Sequence, residues 1–106
     1  MSSTLLVYLH GFRSSPRSSK AVITGQAVAA LSTIQRPIEW YCPQLVASPK
    51  SSMEMVINHI ETAKPDRLVV IGSSLGGYYA NFLAEKYHCK AVVLNPAVRA
   101  PKELAS

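Results

Sequence analysis

The sequence predicts a three-layer α/β fold, with a parallel sheet of about four strands and helices on both faces. Short apolar runs alternate with longer helix-like stretches in the order βαβαβαβ, the pattern of a parallel sheet joined by helical crossovers. The strand candidates are unbroken apolar runs rather than strict alternations, as suits strands buried on both faces. Right-handed crossovers then favour a doubly wound arrangement, whose ligands gather at the carboxyl ends of the strands.

Each element has its own signal. TLLVYL (4–9) is the first strand, ending in the turn-like HGFRSSPRSS. SSKAVITGQAVAALST (18–33) is alanine-rich with serines in front and reads as a helix that Gly25 weakens. Pro37 ends that segment, IEWY (38–41) is the second strand and Pro43 breaks it. PQLVASPKSS (43–52) reads as loop, and Ser51 with Glu54 forms a capping box for the next helix. Met53, Val56, Ile57 and Ile60 follow the spacing of one buried helical face. After Lys64-Pro65-Asp66, RLVVIG (67–72) is the third strand, LGGYYANFLAEKYH (75–88) the third helix and CKAVVLN (89–95) the fourth strand, stopped by Pro96. The loops 10–17 and 42–50, the turn 72–76 and the tail after Asn95 all reach the carboxyl edge.

Composition narrows the function. The 106 residues suit one domain (1–106) with a modest core, and 48% hydrophobic against 16% charged residues argues for a well-buried chain. The net charge of +5 is scattered rather than gathered into a basic run, so nucleic acid is not expected as a partner. Arg13 and Arg17 read first as solvated charge beside the carboxyl edge. The apolar run at the start is too short to span a membrane, and no membrane partner is expected. Cys42 and Cys89 lie far apart and match no metal pattern, which predicts no bound metal, buried free thiols and a reducing, cytoplasmic setting.

Chemistry concentrates in VVIGSSLGGYYA (69–80). Its G-x-S-x-G follows a strand and opens a helix, the context of a serine-hydrolase nucleophile elbow. Ser74 is the expected nucleophile, with Gly72 and Gly76 letting the arms of the turn approach. The Leu75 N–H, at a helix N-terminus, is one expected oxyanion donor. Glycines at 72, 76 and 77 miss dinucleotide-binding spacing, and no Walker lysine follows. YLHGF (8–12) supplies the second signal. A His-Gly pair after the first strand is where hydrolases build the other half of an oxyanion hole, here the Phe12 N–H. Gly11 allows the close approach, and His10 is expected to organise the loop through hydrogen bonds.

Together YLHGFRSSPRSSK, YCPQL, VIGSSLGGYYA and VVLNPAVR resemble the YqiA-like bacterial esterases of the α/β-hydrolase superfamily, over about residues 4–99. The resemblance implies a cofactor-free serine esterase acting on short acyl esters, with Ser74 as nucleophile and the backbones at Phe12 and Leu75 as oxyanion donors. It also implies that this chain matches the N-terminal half of such an enzyme, the triad acid and histidine falling on later strands. His59 and His88 map to helix ends far from Ser74; Glu39, Glu61, Asp66 and Glu85 map to the same far end, and Glu103 on the tail is the one acid with access. Little activity is therefore expected from this chain alone. A non-catalytic binding or assembly module is the alternative. If the sheet follows the superfamily, its order is 2-1-3-4, and strand 89–95 is an apolar edge expected to self-associate or to pair with a C-terminal segment.

Overall fold

A computed structural model of the chain describes residues 3–10, 16–46 and 48–94. Seven elements follow in order: β1 (Thr4–Leu9), α1 (Ser19–Leu31), β2 (Ile38–Tyr41), α2 (Pro49–Ala63), β3 (Arg67–Ser73), α3 (Gly76–Tyr87) and β4 (Lys90–Leu94). The four strands form one parallel sheet in the order β2-β1-β3-β4, with three helices packed around it, as the sequence predicts. Leu5 pairs with Glu39 on one side and Leu68 on the other, and Ile71 pairs with Val92.

The two-residue period of the strands divides the core. Leu5, Val7 and Leu9 of β1 and Val70 of β3 point to one face, where Met53, Val56 and Ile60 of α2 and Ala80 and Leu83 of α3 cover them. Tyr8 and Ile71 point to the other face and meet Ala21 of α1, with Trp40 and Leu94 packed alongside. Gly25 belongs to this second layer. A Cβ there would stand 3.1 Å from the Trp40 ring, so the residue that weakens α1 also lets it sit on β2.

The start of α2 corrects the sequence reading. The cap is Ser48, whose side chain accepts the Ser51 N–H at 3.3 Å, and Pro49 occupies the first helical turn. Proline is suited there because its φ is already helical and its missing N–H would have no intrahelical partner. The helix therefore begins before the Ser51–Glu54 capping box, and residues 49–52 of the expected loop are helical. Ser52 is consequently buried, and its hydroxyl accepts the Val46 N–H (3.1 Å) and donates to the Val46 carbonyl (3.0 Å).

The amino end of the sheet is closed by the Asp66 carboxylate, which accepts the Ser3 N–H at 2.7 Å and so joins the starts of β1 and β3. Cys42 and Cys89 are free, as expected, but half-buried rather than buried. Among the described residues, no helix is long and apolar enough to cross a membrane.

Candidate active site

The chain turns within two residues where β3, ending at Ser73, becomes α3, starting at Gly76. Ser74 has φ 55°, a left-handed conformation that is unfavourable for a residue with a Cβ. Its neighbours show what holds it there. A Cβ on Gly72 would lie 2.6 Å from Gly77 Cα, and one on Gly76 would overlap the Leu9 carbonyl oxygen. A Cβ on Gly77 would stand 2.7 Å from Val93 Cγ1. The start of α3 is thus pressed against the carboxyl ends of β1, β3 and β4 together; at Gly72 and Gly76 a Cβ would meet backbone, and at Gly77 it would force the Val93 side chain to move.

Backbone bonds complete the turn. The Ser74 N–H donates to the Leu94 carbonyl (2.8 Å), Gly77 N–H to the Ser74 carbonyl (3.1 Å) and Tyr78 N–H to the Leu75 carbonyl (3.2 Å). Leu75 is the helix cap residue, and no side chain caps α3. A helix-capping role for the Ser74 hydroxyl, the plain structural explanation of such a serine, is therefore not what the residue does. The N–H of Leu75 lies at the positive end of α3, where a developing negative charge is stabilised.

His10 closes β1 beside this elbow and is buried. Its Nε2 accepts the Leu45 N–H at 2.9 Å, so the ring is a neutral acceptor at that nitrogen and anchors the segment between β2 and α2. With Ser52 holding Val46, two contacts fix this stretch over the carboxyl edge. Sequence reasoning found His10 as an organiser but missed Ser52, whose only signal was a polar residue at a helix position facing the core. Gly11, Phe12 and Arg13 lie outside the described residues, as does Glu103. Arg17, at the foot of α1, is exposed.

The two other histidines lie away from the elbow. His59, near the end of α2, meets Glu39 Oε2 at 2.7 Å and stacks on Tyr41 with ring centroids 3.7 Å apart. His88 is the left-handed residue that ends α3, a full helix length from the elbow. Tyr87 donates to Glu61 at 2.9 Å, and burial first, then this bond and the carboxylate charge, push its phenol up to about 12. Burial also pushes the Cys42 thiol up to about 11 and raises that of Cys89. Both thiols are thus poor nucleophiles near neutrality. A groove of about 620 Å³ lies at this far end, bordered by Ile60, Lys64, Arg67, Tyr87 and Cys89. It opens at the amino ends of β3 and β4, opposite the elbow. Among the described residues no three histidine, cysteine or acidic side chains cluster as metal ligands would.

Fold and elbow define an α/β protein with a parallel sheet and a strained serine between strand and helix. The chain belongs to the Uncharacterised protein family (UPF0227), whose family model matches residues 5–106.

Proposed function

We propose that this chain carries the nucleophile elbow of a YqiA-like serine esterase of the α/β-hydrolase superfamily, acting on short-chain acyl esters. The observation that carries this reading is Ser74 held at φ 55° between β3 and α3, with no side-chain cap on the helix. Strained residues of this kind persist where surrounding packing over-determines them, and they concentrate at functional sites. In the proposed reaction Ser74 Oγ attacks the acyl carbonyl carbon and its proton passes to a base. The Leu75 and Phe12 N–H groups stabilise the oxyanion; the alcohol leaves with a proton, and water then releases the acid.

The histidines set the expected rate. The sequence holds three. His10 Nε2 is engaged by Leu45, His59 is paired with Glu39, and His88 lies at the far end of α3. Without a histidine to accept the proton, an elbow supplies only the residual catalysis of oxyanion stabilisation and binding. The same placement favours the second reading, a module that binds at this edge without turnover.

A fluorophosphonate probe with nitrophenyl acetate as companion substrate separates the two. The esterase reading expects covalent labelling confined to Ser74, lost in Ser74→Ala and in urea, with slow ester turnover that follows the labelling. Absence of labelling in the folded chain would overturn it in favour of binding alone.

A further inference from the structure

We propose that His10 is a proton-operated latch: its neutral ring holds residues 42–45 over the carboxyl edge of the sheet, and its protonated ring releases them. The inference concerns the edge itself and does not depend on the esterase reading.

The latch follows from the direction of one hydrogen bond. His10 Nε2 accepts the Leu45 N–H at 2.9 Å, and an imidazole nitrogen accepts only while it carries no proton. Protonation turns that nitrogen into a donor and sets N–H against N–H. His10 is 5% exposed, so the new charge would also stand where water solvates it poorly. The backbone offers little relief. Leu9 is paired with Gly72 in the sheet, and the His10 carbonyl oxygen lies 2.9 Å from where a Cβ on Gly76 would stand, so the main chain here is packed against the start of α3. What can yield is the ring or the segment it holds, and either movement breaks the bond. The docked state therefore binds fewer protons than the open one, and acid favours the open state.

A second contact limits how far the opening runs. The Val46 N–H donates to the Ser52 hydroxyl at 3.1 Å, and that hydroxyl donates to the Val46 carbonyl at 3.0 Å. Ser52 lies in α2 and is fully buried, so this anchor stays when His10 lets Leu45 go. Leu45 also packs on the core, so release loosens the segment between Tyr41 and Val46 rather than melting it. Ligands of such sheets gather at the carboxyl edge, and the movement changes access to the elbow beside it. The described titratable groups at this edge are Arg17 and Lys20 at the start of α1, Cys42 after β2, Lys50 and Glu54 at the start of α2 and Tyr78 at the start of α3. Of these side-chain types and histidine, only histidine changes charge just below neutrality.

An NMR titration of the full chain tests the proposal. The His10 ring signals and the Leu45 amide signal should move together as pH falls, with one shared midpoint. Across that midpoint the exchange protection of Leu45, corrected for the intrinsic rate at each pH, should fall roughly tenfold or more, as loss of a buried hydrogen bond implies. Val46 should keep its protection, because a serine hydroxyl does not titrate. His10→Gln offers a carbonyl acceptor that takes up no proton, so its Leu45 protection should be equal on both sides of the midpoint. If His10→Gln fails to fold, the comparison of Leu45 with Val46 in the parent chain decides by itself. A ring that takes up its proton while the Leu45 amide keeps its shift and protection would overturn the proposal. So would a ring that stays neutral until the whole chain unfolds, or joint loss of protection at Leu45 and Val46.

Discussion

The Ser74 N–H reaches the Leu94 carbonyl at 2.8 Å, so the last residue of β4 holds the one left-handed residue of the elbow. That bond, together with the glycine contacts around it, retains a conformation that costs about 1–3 kcal/mol for a residue with a Cβ. Ser74→Gly should relieve the strain. Glycine's larger entropy loss on folding offsets about 0.5–1 kcal/mol of this, leaving a net gain of about 1 kcal/mol in urea unfolding. Ser74→Ala keeps the Cβ and the strain, so it should gain nothing. Equal stability of the two variants would show that φ is relaxed at this position.

Gly76→Ala should be more damaging than Gly77→Ala. The added Cβ at 76 would overlap the Leu9 carbonyl, a backbone atom that moves only if β1 or α3 shifts. At 77 it would meet Val93 Cγ1 at 2.7 Å, which a side-chain adjustment partly relieves. Overpacking of this kind costs about 1–3 kcal/mol, with Gly76→Ala expected at the upper end and Gly77→Ala at the lower. Urea midpoints of the two variants check the order.

These contacts explain how much of the molecule its sequence revealed. Unbroken runs such as RLVVIG expose strands because burial on both faces leaves no polar position, and the G-x-S-x-G turn was legible because its glycines are steric requirements of one tight bend. Strand order was legible only through the family resemblance, since no local signal says which strand lies beside which. The start of α2 was misread because two caps compete in ASPKSSME: Ser51–Glu54 has the familiar spacing, but Pro49 preorganises a turn capped by Ser48, three residues earlier. Ser52 and Leu45 were not legible at all. Their roles depend on contacts with Val46 and His10 that tertiary folding creates.

The His10–Leu45 bond spans 35 residues and joins the end of β1 to the segment before α2. His10→Ala would leave the Leu45 N–H without its acceptor and open a gap at a buried position. An unpaired buried donor costs about 1–3 kcal/mol, and His10→Gln should recover part of it by offering a carbonyl oxygen. Exchange of the Leu45 amide reads the bond directly. Fast exchange in His10→Ala with partial protection in His10→Gln is expected; unchanged protection in both would show that another acceptor serves Leu45.

Tyr8 is fully buried against Trp40, and among the described residues its hydroxyl has no hydrogen-bond partner. Tyr8→Phe removes that polar atom while keeping the ring. It should stabilise the chain by about 1 kcal/mol, because a desolvated hydroxyl without a partner is a net cost. A loss of stability in thermal unfolding would reveal a partner for the hydroxyl in solution.

Alkaline unfolding should begin with the thiols. Burial holds Cys42 neutral up to about 11, against 9.0 for a free thiol, and raises Cys89 in the same direction. Between those values the unfolded chain releases a proton that the folded chain keeps. Stability is therefore flat with respect to the thiols below pH 9.0 and falls as pH rises toward about 11. Tyr87, raised from 10.0 to about 12, adds a second loss that starts above pH 10.0. Cys42→Ser should flatten the first part of the decline and leave the second. Urea midpoints across the alkaline range check this, and thiol alkylation should be slower in the folded chain than in urea. A Cys42→Ser curve that falls as steeply as the parent would place the alkaline loss elsewhere.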